Sequence, residues 1–534
     1  MDIGALDLAW AEISVRTQTQ NNDVSSLSAR YYKEFAKSAK PDQRQAIFAK
    51  AACVYASLFE KSQRDYHCIN AATLFLLSGN SDQSQMLAKR CLSQHSIDHD
   101  GGQREAYFHH ATRAEALLLL ERRDEAAAVF AIAIDQTPDN YISHATTLRQ
   151  FELICDHQGI GTQWLEPFRP PAACHFAGSL AALSHFGDGA QSKPAALDSV
   201  LAANRVGSGY GALAAGADIL IAEALIARGA QLHVVLPCTP ELFKALSVDP
   251  FGRNWSSRFD DCLAAADSVM LATTDTSLSC HRALDLASTL AMGRAMEEAE
   301  RHCTRAIQVT ASTGQETGAL TRSYRSSWIG AGHESFHVAL DPGPGAPPRV
   351  GAIAEQNRFM ATMLFADIAG FGGLNDEQVV ACLKAIFVPL NEIINTHRIL
   401  PCHRASWGDG LFLVYEDVMH AAEIALRMQE AFADLPLEDH GLPASLSLRI
   451  GGHYAPASFH QDPVTGRPSV YGSQVSYAAR IEPETLPGSV FVSEHFAAAL
   501  RVFGRDRFVA YFTGEHTIRK KAPQIRLFNL VRKR

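Results

Sequence analysis

A segment rich in proline and glycine, residues 341–352, constrains the fold of this chain more than any other feature. Its sequence is DPGPGAPPRVGA. Proline lacks the backbone N–H that helices and sheet ladders require, so the segment predicts a stiff, exposed connector. A chain of 534 residues is also too long for one hydrophobic core. We therefore expect a linker at residues 341–358 between an N-terminal part and a separate C-terminal domain at residues 359–534.

The bulk composition excludes several classes of protein. Hydrophobic residues make up 47% and charged residues 20%, and the net charge is -9, so we expect a globular protein that binds neither nucleic acid nor an anionic membrane. The most apolar run, residues 212–237, is interrupted by Asp218, Glu223 and Arg228, and it predicts no membrane span. The N-terminus has no signal-peptide pattern, and the 11 cysteines form no CxxC pairs. These features predict a cytoplasmic protein with reduced thiols.

The first block, residues 1–168, has a helical pattern throughout. Two of its segments share a turn at the same place, SGNSDQS and LERRDEA, in which Asp82 and Asp124 correspond. This resembles a degenerate pair of tetratricopeptide-like helical hairpins, each burying its apolar face by stacking on a neighbour. A plain helical bundle is the alternative.

The second block, residues 172–340, alternates strand-like and helix-like runs, which predicts a parallel sheet covered by helices. It resembles the Rossmann-like nucleotide-sensing folds related to lysine-decarboxylase-like proteins, and a sensor domain is the expectation. The run GSGYG at residues 207–211 predicts a glycine-rich loop before a helix, whose N–H groups suit a phosphate. The alternative is structural: the glycines let a turn pass tightly beneath the helix.

The third block begins with a strand at residues 363–368 that ends in a glycine turn. Asn375 then caps a helix, and Gly408, Asp409 and Gly410 form the tip of a hairpin. The apolar stripe of the helix is predicted at 3.6-residue spacing, and it comprises Val379, Leu383, Ile386, Leu390 and Ile393. Two closing strands are expected around residues 508–513 and 525–531.

Five motifs of this block resemble those of class III nucleotidyl cyclases, in the order of that family. They are MLFADIAGF, SWGDG, RIGGHYA, VYGSQVSYAARIE and PGSVFVSEH. The resemblance spans residues 359–534 and implies a ferredoxin-like α/β catalytic domain that acts as a homodimer. The implied reaction converts a nucleoside triphosphate into a 3′,5′-cyclic nucleotide and pyrophosphate.

Two aspartates carry the predicted metal chemistry. Asp367 ends a strand and Asp409 lies at the hairpin tip, so neighbouring strands would bring their carboxylates together to hold two divalent ions. The resemblance assigns Asp367, Ile368 and Asp409 to two Mn²⁺ or Mg²⁺ ions. Taken alone, either residue has an alternative to metal binding. Asp367 would be a solvated aspartate at the end of a strand, and Asp409 would belong to a solvated Gly-Asp-Gly turn.

Other residues are assigned to the substrate. Backbone N–H groups of Gly370, Phe371 and Gly372 suit a triphosphate at a helix start. The resemblance implies that Arg480 stabilises charge on the pentacoordinate phosphorus, a role that suits its planar fork of donors. It also implies that Lys520, within TIRKKAPQ, holds the terminal phosphates.

Three positions depart from the purine-specific members of the family. Where adenylate cyclases carry a lysine and an aspartate that read adenine, this chain has Ala405 and Ser469, and the asparagine that orients the ribose is replaced by Ser476. Guanylate cyclases place glutamate and cysteine at the two base positions, which also differs. The combination, with Trp407 before the Gly-Asp pair, is similar to the pyrimidine cyclases of bacterial antiphage (Pycsar) systems.

The sequence thus predicts a pyrimidine cyclase that uses UTP or CTP and makes a second messenger for a downstream cyclic-nucleotide effector in antiphage defence. An adenylate cyclase with an atypical base pocket is one alternative. A degenerate domain that only binds a nucleotide, as a sensor or scaffold, is the other.

Overall fold

The structure is a computed structural model that describes residues 22–93, 103–178, 195–273, 281–313, 319–340, 358–517 and 524–533. The chain divides into two compact units. The first comprises Met1–Pro170 with Ala299–Thr304, and the second comprises Pro171–Glu298 with Arg305–Arg534. The predicted linker at 341–358 lies outside the described residues except for Arg358.

The described part of the first unit is helical, as predicted. Each helix from Asn22–Ser38 to Arg123–Gln136 packs against the next, and Tyr141–Gln158 packs against Asp65–Leu77 and Gln103–Leu119. Aromatic residues such as Tyr55 and Phe130 are buried. The two turns that the sequence aligns each contain one residue in the left-handed region, Gly79 (φ 85°) and Glu121 (φ 61°). The tetratricopeptide-like assignment stays a prediction. The helices are α1 (Asn22–Ser38), α2 (Pro41–Ser62), α3 (Asp65–Leu77), α4 (Ser81–Ser93), α5 (Gln103–Leu119), α6 (Arg123–Gln136) and α7 (Tyr141–Gln158).

The second unit contains two sheets, and the first of them is parallel throughout its six strands. Its strand order is β4-β3-β2-β1-β5-β6, so the chain winds outward from β1 and then crosses to the other side of it. We call this part, residues 171–298 and 305–340, the parallel-sheet region. Its elements are β1 (Ala172–Gly178), α8 (Ala195–Ala203), β2 (Val206–Gly211), α9 (Ala217–Ala227), β3 (Gln231–Leu236), α10 (Pro240–Ser247), α11 (Arg253–Ala265), β4 (Ser268–Leu271), α12 (His281–His302), β5 (Ala306–Thr313), α13 (Ala319–Gly330) and β6 (Glu334–Leu340).

The glycine-rich run is a strand and not the predicted loop. Val206–Gly211 forms β2, which pairs with β1 on one side and β3 on the other. A Cβ at Gly209 would lie 2.3 Å from a methyl group of Leu225, and one at Gly211 would lie 2.6 Å from the ring of Phe176. The glycines therefore allow close packing on a buried sheet, which corrects the phosphate-cradle hypothesis in favour of the structural one.

The second sheet is mixed and has eight strands. Seven run in the order β13-β14-β12-β10-β7-β9-β8, and β11 pairs with the far end of β10. We call this part, residues 358–533, the mixed-sheet region. Its elements are β7 (Arg358–Ala369), α14 (Asp376–Cys382), α15 (Val388–Thr396), β8 (His403–Trp407), β9 (Gly410–Tyr415), α16 (Val418–Ala433), β10 (Ser447–Gln461), β11 (Pro468–Tyr471), α17 (Ser473–Ala478), β12 (Val490–Ser493), α18 (Glu494–Phe503), β13 (Phe508–His516) and β14 (Ile525–Arg532).

The helix after β7 begins as predicted but changes its phase. The Asn375 side chain accepts a hydrogen bond from the Gln378 N–H in a reciprocal capping box. A π-helical turn, Leu383–Phe387, then joins α14 to α15, so Leu383 is 46% exposed whereas Ile386 and Leu390 are buried. The predicted stripe is thus wrong at Leu383, because the wider turn rotates the helix.

Within the described residues, one helix has the length and mean hydropathy of a membrane span, Asp376–Thr396. The sequence prediction had not singled it out. Core helices of soluble proteins have the same properties, and this helix contributes the buried residues Cys382, Ile386 and Leu390.

Candidate active site

Three adjacent strands bring the two predicted metal aspartates together. Asp367 lies near the end of β7, and the β7–β9 register pairs Ala366 with Leu411. One step further along, Asp367 is level with Gly410 and therefore beside Asp409 in the β8–β9 turn. The two carboxyl groups lie close enough for Asp367 to raise the pKa of Asp409. The predicted juxtaposition is therefore present in the structure.

Burial and the neighbouring Asp367 both affect the pKa of Asp409. Burial raises the pKa of this carboxyl above its usual range, and the neighbouring Asp367 raises it further. A cation placed between the two carboxylates would relieve that repulsion. Oxygen ligands of this kind are those that Mg²⁺ and Mn²⁺ prefer, so the residues fit the expected metal ions.

A cation and a third carboxylate that the sequence did not predict adjoin the pair. Arg449 lies on β10 directly opposite Asp367. Its Nη2 is 2.5 Å from Asp367 Oδ2 and 2.9 Å from Glu482 Oε1. The pKa of Glu482 is raised to about 7, chiefly by burial. The positive charge of Arg449 lowers this pKa, whereas Asp367 and Asp409 raise it.

One signal for Arg449 was available in the sequence, whereas none was available for Glu482. SLSLRIGGHYA is an otherwise apolar strand with one internal charge, and a charge there requires a partner. Glu482 follows α17, in a short 3₁₀ turn, and nothing in its spacing indicates a contact with β10.

The glycine turn after β7 differs from the predicted helix start. Gly370 adopts a left-handed conformation (φ 93°), and Phe371–Gly373 forms a 3₁₀ turn. The regular helix begins only after Asn375. Gly372 is exposed and Phe371 is half-buried, so the turn borders the aspartate pair but is not the N-terminus of a helix.

The remaining predicted residues lie on two other parts of the mixed-sheet region. Ala405 is half-buried on β8, where it pairs with Phe412. Ser469 is half-buried on β11, Ser476 is exposed on α17, and Arg480 is exposed just after that helix. Lys520 lies outside the described residues.

Distance along β10 separates Ser469 from the aspartate pair. Asp367 pairs with Arg449, and Ser469 pairs with His460. The two β10 residues are 11 positions apart (460 − 449), which corresponds to about 36 Å of strand. Within one chain, Ser469 therefore cannot reach a substrate held at Asp367.

Known proteins resemble the mixed-sheet region. Residues 353–528 match the family model described as the adenylate and guanylate cyclase catalytic domain. Similar solved structures include the adenylyl cyclase CyaB from P. aeruginosa, at 17% identity and TM-score 0.30, with 33% of this chain and 96% of that chain covered.

The guanylate cyclase domain of RhGC from Catenaria anguillulae, in complex with GTP, is 16% identical with TM-score 0.29, with 34% of this chain and 100% of that chain covered. Adenylate cyclases from Trypanosoma brucei in their monomeric state are 18% identical with TM-score 0.28, with 32% of this chain and 87% of that chain covered. No curated protein sequence is significantly similar to the chain.

The family match covers the last third of the chain and contains the aspartate pair, Arg449 and Arg480. This part of the chain is a cyclase catalytic domain of the class III adenylate/guanylate type.

Proposed function

We propose that the chain converts a nucleoside triphosphate into its 3′,5′-cyclic monophosphate and pyrophosphate. The observation that carries the proposal is the aspartate pair: Asp367 on β7 lies beside Asp409 in the β8–β9 turn, and Arg449 lies against Asp367. The ribose 3′-oxygen attacks the α-phosphorus and its proton passes to solvent. The bond from the α-phosphorus to the bridging oxygen of the β-phosphate breaks, and pyrophosphate leaves.

Asp367, Asp409 and the backbone carbonyl of Ile368 would hold the two divalent ions. When bound, such ions stabilise the attacking oxygen and the charge on the triphosphate. The carboxylates fix where the triphosphate lies, and the turn at Gly370–Gly372 offers backbone N–H groups beside it.

Arg480 and Lys520 are proposed to act on the phosphates. A guanidinium has planar, fixed donors suited to the equatorial oxygens of the pentacoordinate phosphorus in the transition state. The exposed position of Arg480 leaves it available to a substrate from outside its own subunit. Ser476, one turn earlier on α17, has the corresponding place for the ribose.

A homodimer follows from the separation along β10. Ala405 and the aspartates lie at one end of the sheet, while Ser469 lies about 36 Å away along the strand. If both base positions read one substrate, a second copy must supply one of them. A two-fold interface does so twice and gives two equivalent sites.

Mixing two inactive variants tests this shared site. Asp367→Ala and Arg480→Ala should each be inactive alone. An exchanged mixture should regain activity, up to about a quarter of wild type if half of the dimers are mixed and each has one intact site. Analytical ultracentrifugation or tagged co-purification verifies the exchange. Exchange without recovered activity contradicts the shared site.

The proposed substrate is a pyrimidine triphosphate, UTP ahead of CTP. Ala405 cannot supply the long cation that reads adenine, and Ser469 is no carboxylate. Alternation along β8 places Trp407 on the same face as Ala405, and this indole is 53% exposed. A bulky ring there reduces the room for a purine. A role in antiphage defence, with a cyclic-nucleotide effector downstream, rests on the similarity to Pycsar cyclases.

The decisive experiment incubates purified full-length protein with each of the four ribonucleoside triphosphates and Mn²⁺, and identifies products by mass. Asp409→Asn, which keeps the size of the side chain but removes its charge, is the control. We expect cyclic UMP above cyclic CMP. Efficient conversion of ATP alone would support an adenylate cyclase with an atypical base pocket. Tight nucleotide binding without any product would support a sensor or scaffold.

A further inference from the structure

A hydrogen-bond chain connects the parallel-sheet region to the helix that precedes Arg480. Gln474 lies on α17, and its Nε2 donates to the Thr273 hydroxyl, 3.2 Å away. Thr273 follows the end of β4 and is 3% exposed. The other end of the same amide, Oε1, is 3.0 Å from Nε2 of His453. One side chain therefore joins the two sheets of the second unit.

The buried His453 fixes the direction of this chain. Its Nδ1 is 2.8 Å from the Ser493 hydroxyl. Burial lowers its pKa to about 3, so the imidazole is neutral and carries one proton. A proton on Nε2 satisfies both bonds: Nε2 donates to Gln474, and Nδ1 accepts from Ser493. The Gln474 side-chain oxygen thus accepts from His453, and the side-chain NH₂ group of Gln474 donates to Thr273.

A second contact strengthens the same connection. His495 Nε2 donates to the carbonyl of Ala272, 2.9 Å away, so both residues that follow β4 are bonded to the mixed-sheet region. Nearby, Glu494 pairs with Arg294 of α12 at 2.9 Å and with Arg526. Arg526 also binds Glu297 at 2.5 Å. These ion pairs hold α12 against α18 beside the Gln474 chain.

We propose that Gln474 and Thr273 are positioning residues for the cyclase reaction. Through their hydrogen bond, the parallel-sheet region sets the position of α17. The position of α17 in turn sets that of Ser476 on the helix and of Arg480 just after it. Neither residue touches the substrate. Ligands of parallel α/β sheets bind at the C-terminal ends of their strands, and Thr273 lies at such an end. A change there is transmitted to α17 through one bond. The inference rests on the proposed cyclase activity.

The test uses three variants of the full-length protein. Thr273→Val removes the hydroxyl and keeps the shape of the side chain. Thr273→Ser keeps the hydroxyl and should behave as wild type. Thr310→Val is the matched control, because Thr310 is also fully buried and bonded through its hydroxyl, but to His337 within the parallel-sheet region.

We expect Thr273→Val to lower kcat on the order of tenfold, because small displacements of a transition-state group are costly. KM should change less than kcat, since the metal ligands Asp367 and Asp409 lie on other elements. Hydrogen exchange in a peptide covering residues 473–480 should be faster than in wild type. Thr310→Val should lower the melting temperature comparably while leaving kcat and that peptide unchanged.

Equal behaviour of Thr273→Val and Thr310→Val in both measurements would overturn the proposal. A wild-type protein without cyclase activity would refute the proposed function, and the exchange measurement would still decide the coupling. If Thr273→Val does not fold, Gln474→Met removes the same bond from the other side, together with the bond to His453. It must then show a kcat loss at least as large and faster exchange in the 473–480 peptide, and the absence of either would overturn the proposal.

Discussion

Replacing Gly293 by alanine should weaken the contact between the two sheets of the second unit. Gly293 lies within α12, where that helix crosses α18. A Cβ added at Gly293 would lie 2.4 Å from the Cβ of Ala498 and 2.5 Å from its Cα. Optimal contact between carbon atoms is about 3.5–4.0 Å. The two helices must therefore separate by about 1 Å to admit one methyl group.

Two opposing effects determine the size of the change. Glycine in a helix interior is less favourable than alanine by about 1 kcal/mol, which would stabilise the variant. Inserting a methyl group into a packed contact typically costs about 1–3 kcal/mol. The net expectation is a loss of up to about 2 kcal/mol in the free energy of unfolding.

Gly330→Ala supplies the matched control. Gly330 ends α13 in the same region, and a Cβ added there has no heavy atom within 4 Å. That variant should be neutral or slightly stabilised. Urea unfolding of both full-length variants, followed by near-ultraviolet circular dichroism, measures the difference. If Gly293→Ala is stabilised as much as Gly330→Ala, the close crossing is wrong. Gly293→Ala should also lower kcat, since α18 carries the ion pairs beside Gln474.

Three further predictions concern separate groups. Burial raises the pKa of the Asp218 carboxyl to about 7. Its contribution to the free energy of unfolding, on the order of 4 kcal/mol, is therefore present below pH 4 and is lost as the pH rises through 7. Asp218→Asn should flatten this dependence in unfolding measurements from pH 4 to 8, and an unchanged slope contradicts the prediction. Arg449→Ala leaves Asp367 and Glu482 without their cation. In scanning fluorimetry, the melting temperature of this variant should fall in EDTA and recover with Mn²⁺. An equal loss in both conditions would refute this. Trp407→Ala, at a half-exposed site, should change the free energy of unfolding by at most about 0.5 kcal/mol. It should nevertheless raise the ratio of ATP to UTP turnover in a competition assay. An unchanged ratio excludes Trp407 from base selection.

Local chemistry explains why some features could be predicted from the sequence. Asn375 was identified as a helix cap because its side chain bonds to a backbone only three residues away. The Gly408–Gly410 turn was identified because a tight hairpin needs residues that tolerate positive φ, and Gly408 has φ 55°. The aspartate pair followed from the resemblance of its motifs to those of class III cyclases, together with the expectation that neighbouring strands bring the two carboxylates together.

Features that depend on tertiary packing were not predictable in the same way. GSGYG has the composition of a loop, yet the space beneath Leu225 and Phe176 makes it a central strand. The helix after Asn375 shows one continuous apolar period, but the π turn at Leu383–Phe387 inserts extra rotation. Arg449 meets Asp367 only because the β7–β10 register places them opposite each other. None of these contacts is encoded in residue spacing.

Gln474 shows how far such a contact can be from anything that spacing reveals. In the sequence, this residue is only one polar position in a short helix, between a glycine and the serine at the ribose position. Its partners are 21 residues away at His453 and 201 residues away at Thr273. A half-buried amide is costly unless both its ends are bonded, and here each end is satisfied by a different sheet. A shift of the parallel-sheet region would therefore act on this amide, which precedes Arg480 on the same short segment of chain.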